Sequence, residues 1–326
     1  MKAVTVKQPG DADQLQIVDM EKPGIEDNEI LVKVKATAIN RTDIINRKSR
    51  LEYMTNPILG VEVAGEVVET GSNTNIEVGT AVMGLVNGGS YAEYVAMPED
   101  RAMAVPKALS YEEAAAIPEV FLTAYQTLFW IGKLKEKETV LVHAGGSGVG
   151  TAAIQLAKQI SKANVITTAG SRDKLEFCES LGADRGINYK EQDFPEEVLQ
   201  FTDQQGAELI LDFIGASYWD KNIKSIKVDG RWVLIGFLGG GTVNEVQLMD
   251  LMSKRIQLTG TLLTPRSDAY KKALSDDFVE HALPLFENKA IRPIVDKVFD
   301  LSDIAAAHEH MEANKNIGKI IVKVQD

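Results

Sequence analysis

One stretch limits what this chain can fold into more than any other. Thr139-Val-Leu-Val-His143 is a short apolar run of the kind that forms a buried strand, and Ala144-Gly-Gly-Ser-Gly-Val-Gly150 follows it directly. Thr151 to Lys158 then has helical spacing and strong helix formers, and Asn164 to Ala169 reads as a second strand. Strand, glycine turn, helix, strand is the unit that binds dinucleotides. Laid on G-x-G-x-x-G, the positions fall on Gly145, Ser147 and Gly150. Serine replaces the second glycine, and its hydroxyl can itself donate to a phosphate oxygen. Gly148 and Val149 would offer backbone N–H groups to a pyrophosphate at the positive end of the helix.

The end of the second strand selects the nucleotide. A unit built for the unphosphorylated cofactor carries Asp or Glu there, about 20 residues past the glycines, to accept bonds from the ribose 2′-OH. This chain has Gly170-Ser171-Arg172, with Lys174 shortly after. A carboxylate would repel a 2′-phosphate, whereas a hydroxyl and two cations attract it. The expected cofactor is NADPH. Phe237 and Leu238, after the fifth strand of the alternating region, should cover its nicotinamide.

Between Thr139 and about residue 262 strands and helices alternate, with strands ending near His143, Ala169, Asn188, Phe213 and Gly236. That is the pattern of a doubly wound parallel sheet in an α/β fold. Residues 1 to about 120 are β-rich instead. Ala3 to Val6, Gln16 to Asp19, Ile30 to Ile39, Val61 to Val68, Ala81 to Leu85, Ser90 to Val95 and Ala102 to Val105 read as short strands with turn signals between them. Gly65 marks a bulge or a close backbone approach. Ser110-Tyr-Glu-Glu113 is a capping-box start. Pro118 is expected to stop that helix, with a longer one over Thr123 to Trp130. Ser267 to Asn288 reads as one long helix, and Pro293 to Phe299 and Ile317 to Val324 return to strand. The division expected is 1–120, completed by 290–326, as one domain, with 121–289 inserted as the dinucleotide domain.

Composition narrows the partners. Of the 326 residues, 35 are basic and 47 acidic, for a net charge of −12, which disfavours nucleic acid and anionic membrane. The one cysteine, Cys178, lies in the apolar pattern of a helix and reads as a core residue. The N-terminus alternates like a strand rather than a signal peptide, and no run approaches 18 apolar residues, so a cytoplasmic enzyme is expected. His308 and His310 are about 200° apart on a helix and read as surface residues. His143 reads as a packed strand-end residue and His281 as a helix-surface one.

Seven motifs together resemble one family. They are Asn40-Arg-Thr-Asp43, Ile58-Leu-Gly-Val-Glu-Val-Ala-Gly-Glu66, Ala114-Ala-Ala-Ile-Pro-Glu-Val-Phe-Leu-Thr-Ala124, the glycine loop, Leu181-Gly-Ala-Asp184 with Asn188-Tyr189, Asp229-Gly-Arg-Trp-Val-Leu234, and Met311-Glu-Ala-Asn-Lys-Asn-Ile-Gly-Lys319. The chain resembles, over its whole length, the quinone oxidoreductases of the medium-chain dehydrogenase/reductase superfamily, nearest the p53-inducible branch. The resemblance implies a GroES-like catalytic domain plus an inserted Rossmann domain, with the active site in the cleft between them. It implies NADPH-dependent reduction of quinones, and a homodimer joined through the Rossmann sheet edges at Leu251 to Thr264. Asn40, Tyr53 and Thr123 match positions lining the nicotinamide and substrate. Ser171, Lys174 and Tyr189 match positions holding the 2′-phosphate and adenine side, and Lys319 matches a basic position near the phosphates.

Departures from the zinc-dependent relatives matter as much. Gly60-Val61-Glu62 stands where Gly-His-Glu would, the cysteine positions fall at Asn40-Arg41-Thr42 and near Thr123, and Pro98 to Pro106 has no cysteine. Zinc needs thiolate or imidazole ligands, so no metal is expected. Glu62 should then satisfy backbone groups or Arg41. The rival readings are reduction of an activated alkene, such as an enone or enoyl thioester, and a non-catalytic NADPH-binding or RNA-binding protein.

Overall fold

A computed structural model describes residues 1–325. The chain divides into two compact units, Met1–Leu122 with the segment from Thr264 on, and Thr123–Leu263.

The first unit opens with β1 (Lys2–Val6) antiparallel to β2 (Leu15–Asp19). Its main sheet forms around β3 (Glu29–Ala38), whose alternation buries Ile30, Val32 and Val34 on one face. Further strands are β4 (Glu62–Thr70), β5 (Ala81–Leu85), β6 (Tyr94–Pro98) and β7 (Met103–Ala104). Valines 63, 67, 82 and 95 close the same core, each contributing on the order of 1.5–3 kcal/mol by leaving water. Gly65 faces Val34 next to a register shift, and a Cβ there would overlap the carbonyl of Lys33. It is thus both bulge and close approach.

The capping box forms as read: Glu113 N–H donates to Ser110 Oγ at 3.2 Å and Ser110 N–H to Glu113 Oε2 at 3.0 Å. Pro118 does not end a helix but begins one, Pro118–Tyr125. A first-turn position needs no N–H, so proline fits there. The next turns, Gln126–Ile131, widen into a π-helix. Thr127 Oγ1 donates to the carbonyls of Thr123 and Ala124 in this stretch.

The second unit is a parallel sheet of β8 (Thr139–Val142), β9 (Asn164–Ala169), β10 (Arg185–Asn188), β11 (Ala207–Asp212), β12 (Ile226–Leu234) and β13 (Gln257–Gly260). Its order is β10-β9-β8-β11-β12-β13, so the winding reverses beside β8. Val140, Leu141 and Val142 are fully buried, as a strand covered on both faces requires.

The long helix expected to Asn288 spans Asp268–His281 and is followed by a separate turn, Pro284–Glu287. Pro284 has no N–H to continue the ladder. This region was expected with the dinucleotide domain, yet it groups with the first unit. Phe278 and Phe286 pack there on Phe121, with ring centroids 6.5 and 4.9 Å away. Finally β14 (Val295–Asp300) and β15 (Lys319–Lys323) join the first unit's sheet through β3. Among the described residues no helix is long and apolar enough to cross a membrane.

Candidate functional site

In the second unit, the predicted cofactor residues all lie beyond the C-terminal ends of parallel strands, where ligands bind in open α/β sheets. Beyond β8, Ala144 takes a positive φ of 52° and turns the chain into the glycine loop. A Cβ on Gly145 would overlap Thr167 Oγ1, and one on Gly150 would lie 2.7 Å from the Gly145 Cα. Both glycines are therefore fixed by packing. Ser147 caps the helix Gly148–Ser161, its Oγ accepting the Gly150 N–H at 3.0 Å. Its own proton remains available to a phosphate. Gly148 and Val149, first in that helix, have no intrahelical acceptor for their N–H groups.

Beyond β9, Ser171 caps the helix Arg172–Ser180 by position, but its hydroxyl makes no hydrogen bond among the described residues. Arg172 is turned to solvent in an ion pair with Glu176 at 2.6 Å. Lys174 is the cation brought to the loop: its Cδ lies 3.1 Å from where a Cβ on Gly146 would sit. Tyr189, beyond β10, is exposed, and its hydroxyl lies 2.7 Å from the corresponding point on Gly170. Lys174 thus lies against Gly146, and Tyr189 and Lys190 lie against Gly170, which Ser171 follows in the chain. Phe237 and Leu238, each 58% exposed, sit on a loop stitched to the end of β11. Leu238 N–H donates to Phe213 O at 3.1 Å and Gly239 N–H to Ile214 O at 2.7 Å.

His143 is the packed strand-end residue expected, bonded to Thr168 Oγ1 at 3.0 Å and Asn222 Oδ1 at 2.7 Å. Burial lowers its pKa, so it stays neutral. Cys178 is fully buried, and burial pushes its thiol up to about 12. His281 is on the surface. His308 is not: it is buried, with Nδ1 3.1 Å from Arg47 Nη1, and burial beside that guanidinium pushes it down to about 3. His310 is partly buried and pairs with Asp296 at 2.8 Å.

The first unit holds a buried polar cluster. Asn40 caps the helix Arg41–Ser49 in a capping box with Asp43. Asn40 Nδ2 donates to Glu62 Oε1 at 2.7 Å, and Asn40 Oδ1 accepts from Lys319 Nζ at 2.7 Å. Lys319 Nζ also lies 2.7 Å from Glu62 Oε1 and donates to the carbonyl of Ile39 at 3.1 Å. Lys319, expected beside the cofactor phosphates, is instead buried with all three ammonium protons engaged. Glu62 pairs with this lysine and not with Arg41, which donates to Met311 O and Asn314 Oδ1. Asp43 accepts from the N–H groups of Asn40 and Gly60 and from the Tyr91 hydroxyl, at 2.9, 3.1 and 3.2 Å. Burial outweighs these donors and pushes its carboxyl up to about 7.

Glu62 Oε2 accepts the backbone N–H of Glu119 at 2.8 Å. Burial, and then the Glu62 carboxylate, push the Glu119 side chain up to about 8. Sequence reasoning passed over Glu119; the one signal was a carboxylate directly after a proline inside an apolar run. Thr123 is buried in the helix Pro118–Tyr125, its hydroxyl without a hydrogen bond among the described residues. Tyr53 is 40% exposed in a turn and makes no hydrogen bond or ring contact among those residues.

Comparison with known proteins fits this architecture. Residues 26–107 match the alcohol dehydrogenase GroES-like domain, and residues 148–278 match the zinc-binding dehydrogenase domain. A crystal structure of an NAD-dependent alcohol dehydrogenase is 30% identical with a TM-score of 0.90, all of each chain being covered. Escherichia coli quinone oxidoreductase, solved in complex with NADPH, is 28% identical with a TM-score of 0.89, covering 99% of this chain and 100% of that one. Highly-reducing polyketide synthase 1 of Aureobasidium melanogenum is 30% identical over 97% of this chain, which spans 14% of that protein's length. The chain belongs to the medium-chain dehydrogenase/reductase superfamily of oxidoreductases.

Zinc, implied by one family description, does not fit the residues present. Among the described residues no group of three or more His, Cys, Asp and Glu is placed to hold a metal. The cluster at Asn40 offers an amide and a carboxylate already bonded to an ammonium, with neither thiolate nor imidazole.

Proposed function

We propose that the chain is an NADPH-dependent reductase of quinones that works without zinc, of the quinone oxidoreductase kind. The observation that carries the cofactor choice is Lys174 lying against Gly146, beside a strand end that has a hydroxyl where the unphosphorylated nucleotide needs a carboxylate. Ser147, Gly148 and Val149 hold the pyrophosphate, and Ser171, Lys174 and Tyr189 hold the phosphorylated ribose. Phe237 and Leu238 shield the nicotinamide, which supplies the hydride when bound.

In this reading Asn40 faces the acceptor. Its amide is held by Glu62 and Lys319, so its orientation is fixed before substrate arrives. Its second amide proton, held only by a long 3.5 Å contact to Ala38 O, is the one that turns to the oxyanion developing on reduction. Tyr53, exposed and uncommitted, stacks on the acceptor or donates to it. An activated alkene is the second reading, favoured by likeness to a segment of a polyketide synthase. Turnover of a simple quinone and of an enone, each with NADPH and with NADH, separates the readings. A strong NADH preference would overturn the cofactor assignment.

Lys174→Ala should raise the KM for NADPH by about tenfold to a hundredfold, the range expected for one hydrogen bond to a charged group. It should leave the KM for NADH almost unchanged. Steady-state kinetics with both nucleotides reads the ratio.

We also propose a homodimer through the edge of the parallel sheet. β13 ends the strand order, and all four of its residues are exposed. Leu248, Met249, Met252 and Leu262 are exposed on the segments flanking it. An uncovered edge beside apolar side chains is a template for a second strand. Sedimentation should give twice the 35.6 kDa chain mass, and Leu258→Lys should shift it to monomer.

A further inference from the structure

We propose that His143 is a positioning residue for the dinucleotide: it ties together the two walls that the cofactor spans, a role that rests on the reading above in which NADPH lies along the glycine loop. The winding of the parallel sheet reverses beside β8, and a dinucleotide crosses the crevice at such a reversal. One wall is the end of β9, where Thr168 O accepts the Gly145 N–H at 3.0 Å. The other is the end of β11, which closes on Asp212. β8 runs between these two strands, and His143 leaves its end. The ring reaches both sides, bonding Thr168 Oγ1 directly and Asp212 through Asn222. All four residues belong to the same compact unit.

Asp212 sets the direction of every proton in this chain. Its Oδ1 accepts the Ile214 and Gly215 N–H groups at 2.7 and 3.0 Å, and its Oδ2 accepts the Trp232 indole N–H at 3.1 Å. Asn222 gives the same Oδ2 an Nδ2 proton at 3.1 Å, which turns its own Oδ1 to His143 Nε2. An amide oxygen only accepts, so the His143 proton sits on Nε2. Nδ1 of the neutral ring then accepts the Thr168 hydroxyl. Asp212, Asn222 and His143 are fully buried and Thr168 is 1% exposed, so no solvent replaces a broken link. The rings of Phe194 and Tyr218, centred 5.0 and 4.9 Å away, limit rotation of the imidazole.

Both ends of the chain lie under loops assigned to the cofactor. Thr168 carries Gly145 of the glycine loop. Asp212 pins Ile214, whose carbonyl accepts the Gly239 N–H at 2.7 Å, next to Phe237 and Leu238. A ligand confined to one wall is indifferent to the spacing between them, whereas one that spans both is not.

The test compares NADPH with adenosine 2′,5′-bisphosphate, a fragment confined to the side of Ser171 and Lys174, by calorimetric titration of the purified full-length chain. His143→Phe keeps the ring contacts and loses both hydrogen bonds. It should weaken NADPH by about tenfold to a hundredfold, the range for two lost hydrogen bonds, and the fragment by no more than about twofold. His143→Gln, whose amide returns a donor toward Asn222, should recover part of the NADPH loss. Equal weakening of the two ligands would mean a general structural role and overturn the proposal. NADPH binding by His143→Phe equal to wild type also overturns it, and leaves the cofactor reading intact. A wild type that binds neither ligand overturns the reading and the positioning role together. Should His143→Phe not fold, nitrogen NMR of the wild-type imidazole decides: a proton on Nε2 is the expected result, and a proton on Nδ1 overturns the proposal.

Discussion

Lys319→Met is expected to destabilise the chain by about 3–5 kcal/mol, the cost of leaving a buried charge without its partner. Lys319 and Glu62 are 3% and 0% exposed, so no solvent replaces the lost contact. The double variant Glu62→Gln with Lys319→Met should recover most of the loss, because the pair's attraction largely offsets its own desolvation. Denaturant unfolding of the wild type, Glu62→Gln, Lys319→Met and the double variant measures the coupling. The deficit should also depend on pH. Asp43 titrates at about 7 when folded, with Lys319 lowering it, against about 3.9 unfolded. A group raised in this way contributes stability that is full below about pH 4 and lost as pH rises through about 7. Removing Lys319 raises Asp43 further, and the two folded proteins differ in charge only once Asp43 of the wild type ionises, so the deficit of Lys319→Met should grow as pH rises above about 7. A deficit that shrank over this range would mean that Lys319 does not act on Asp43.

Gly145→Ala should reduce NADPH affinity by at least about a hundredfold, on the order of 3 kcal/mol. The added methyl would overlap Thr167 Oγ1 and lie 3.1 Å from Cys178 Sγ. Thr167 is fixed by its own bond to Val142 O at 2.8 Å, so the loop must move rather than the strand. Moving it displaces the first N–H groups of the helix Gly148–Ser161, which carry the anion-binding field. Fluorescence titration with NADPH, beside a thermal melt to show that the sheet survives, reads the effect. Binding within threefold of wild type would place the pyrophosphate elsewhere.

What the residues disclosed by themselves follows the range of the interaction. The strand ends at Ala169 and Asn188 are legible because alternation and turn residues act over a few positions. So is the capping box at Ser110, where donor and acceptor are three residues apart. Pro118 was misread because a proline after a short helix and a proline opening the next leave the same local pattern. His308 misled because helical spacing separates two positions without saying which of them packs inward. It is buried against Arg47, which lies 261 residues earlier.

The sequence alone therefore determined the parallel sheet, the glycine loop and a strand end without a carboxylate, all set by local backbone sterics and spacing. Only the tertiary structure decided the fate of the charged groups. Lys319 reaches Asn40 across 279 positions, and Glu62 joins both to the helix that begins at Pro118. Such a pairing is fixed by which strands become neighbours and by the need to satisfy a charge once water has been excluded. No local pattern carries that information.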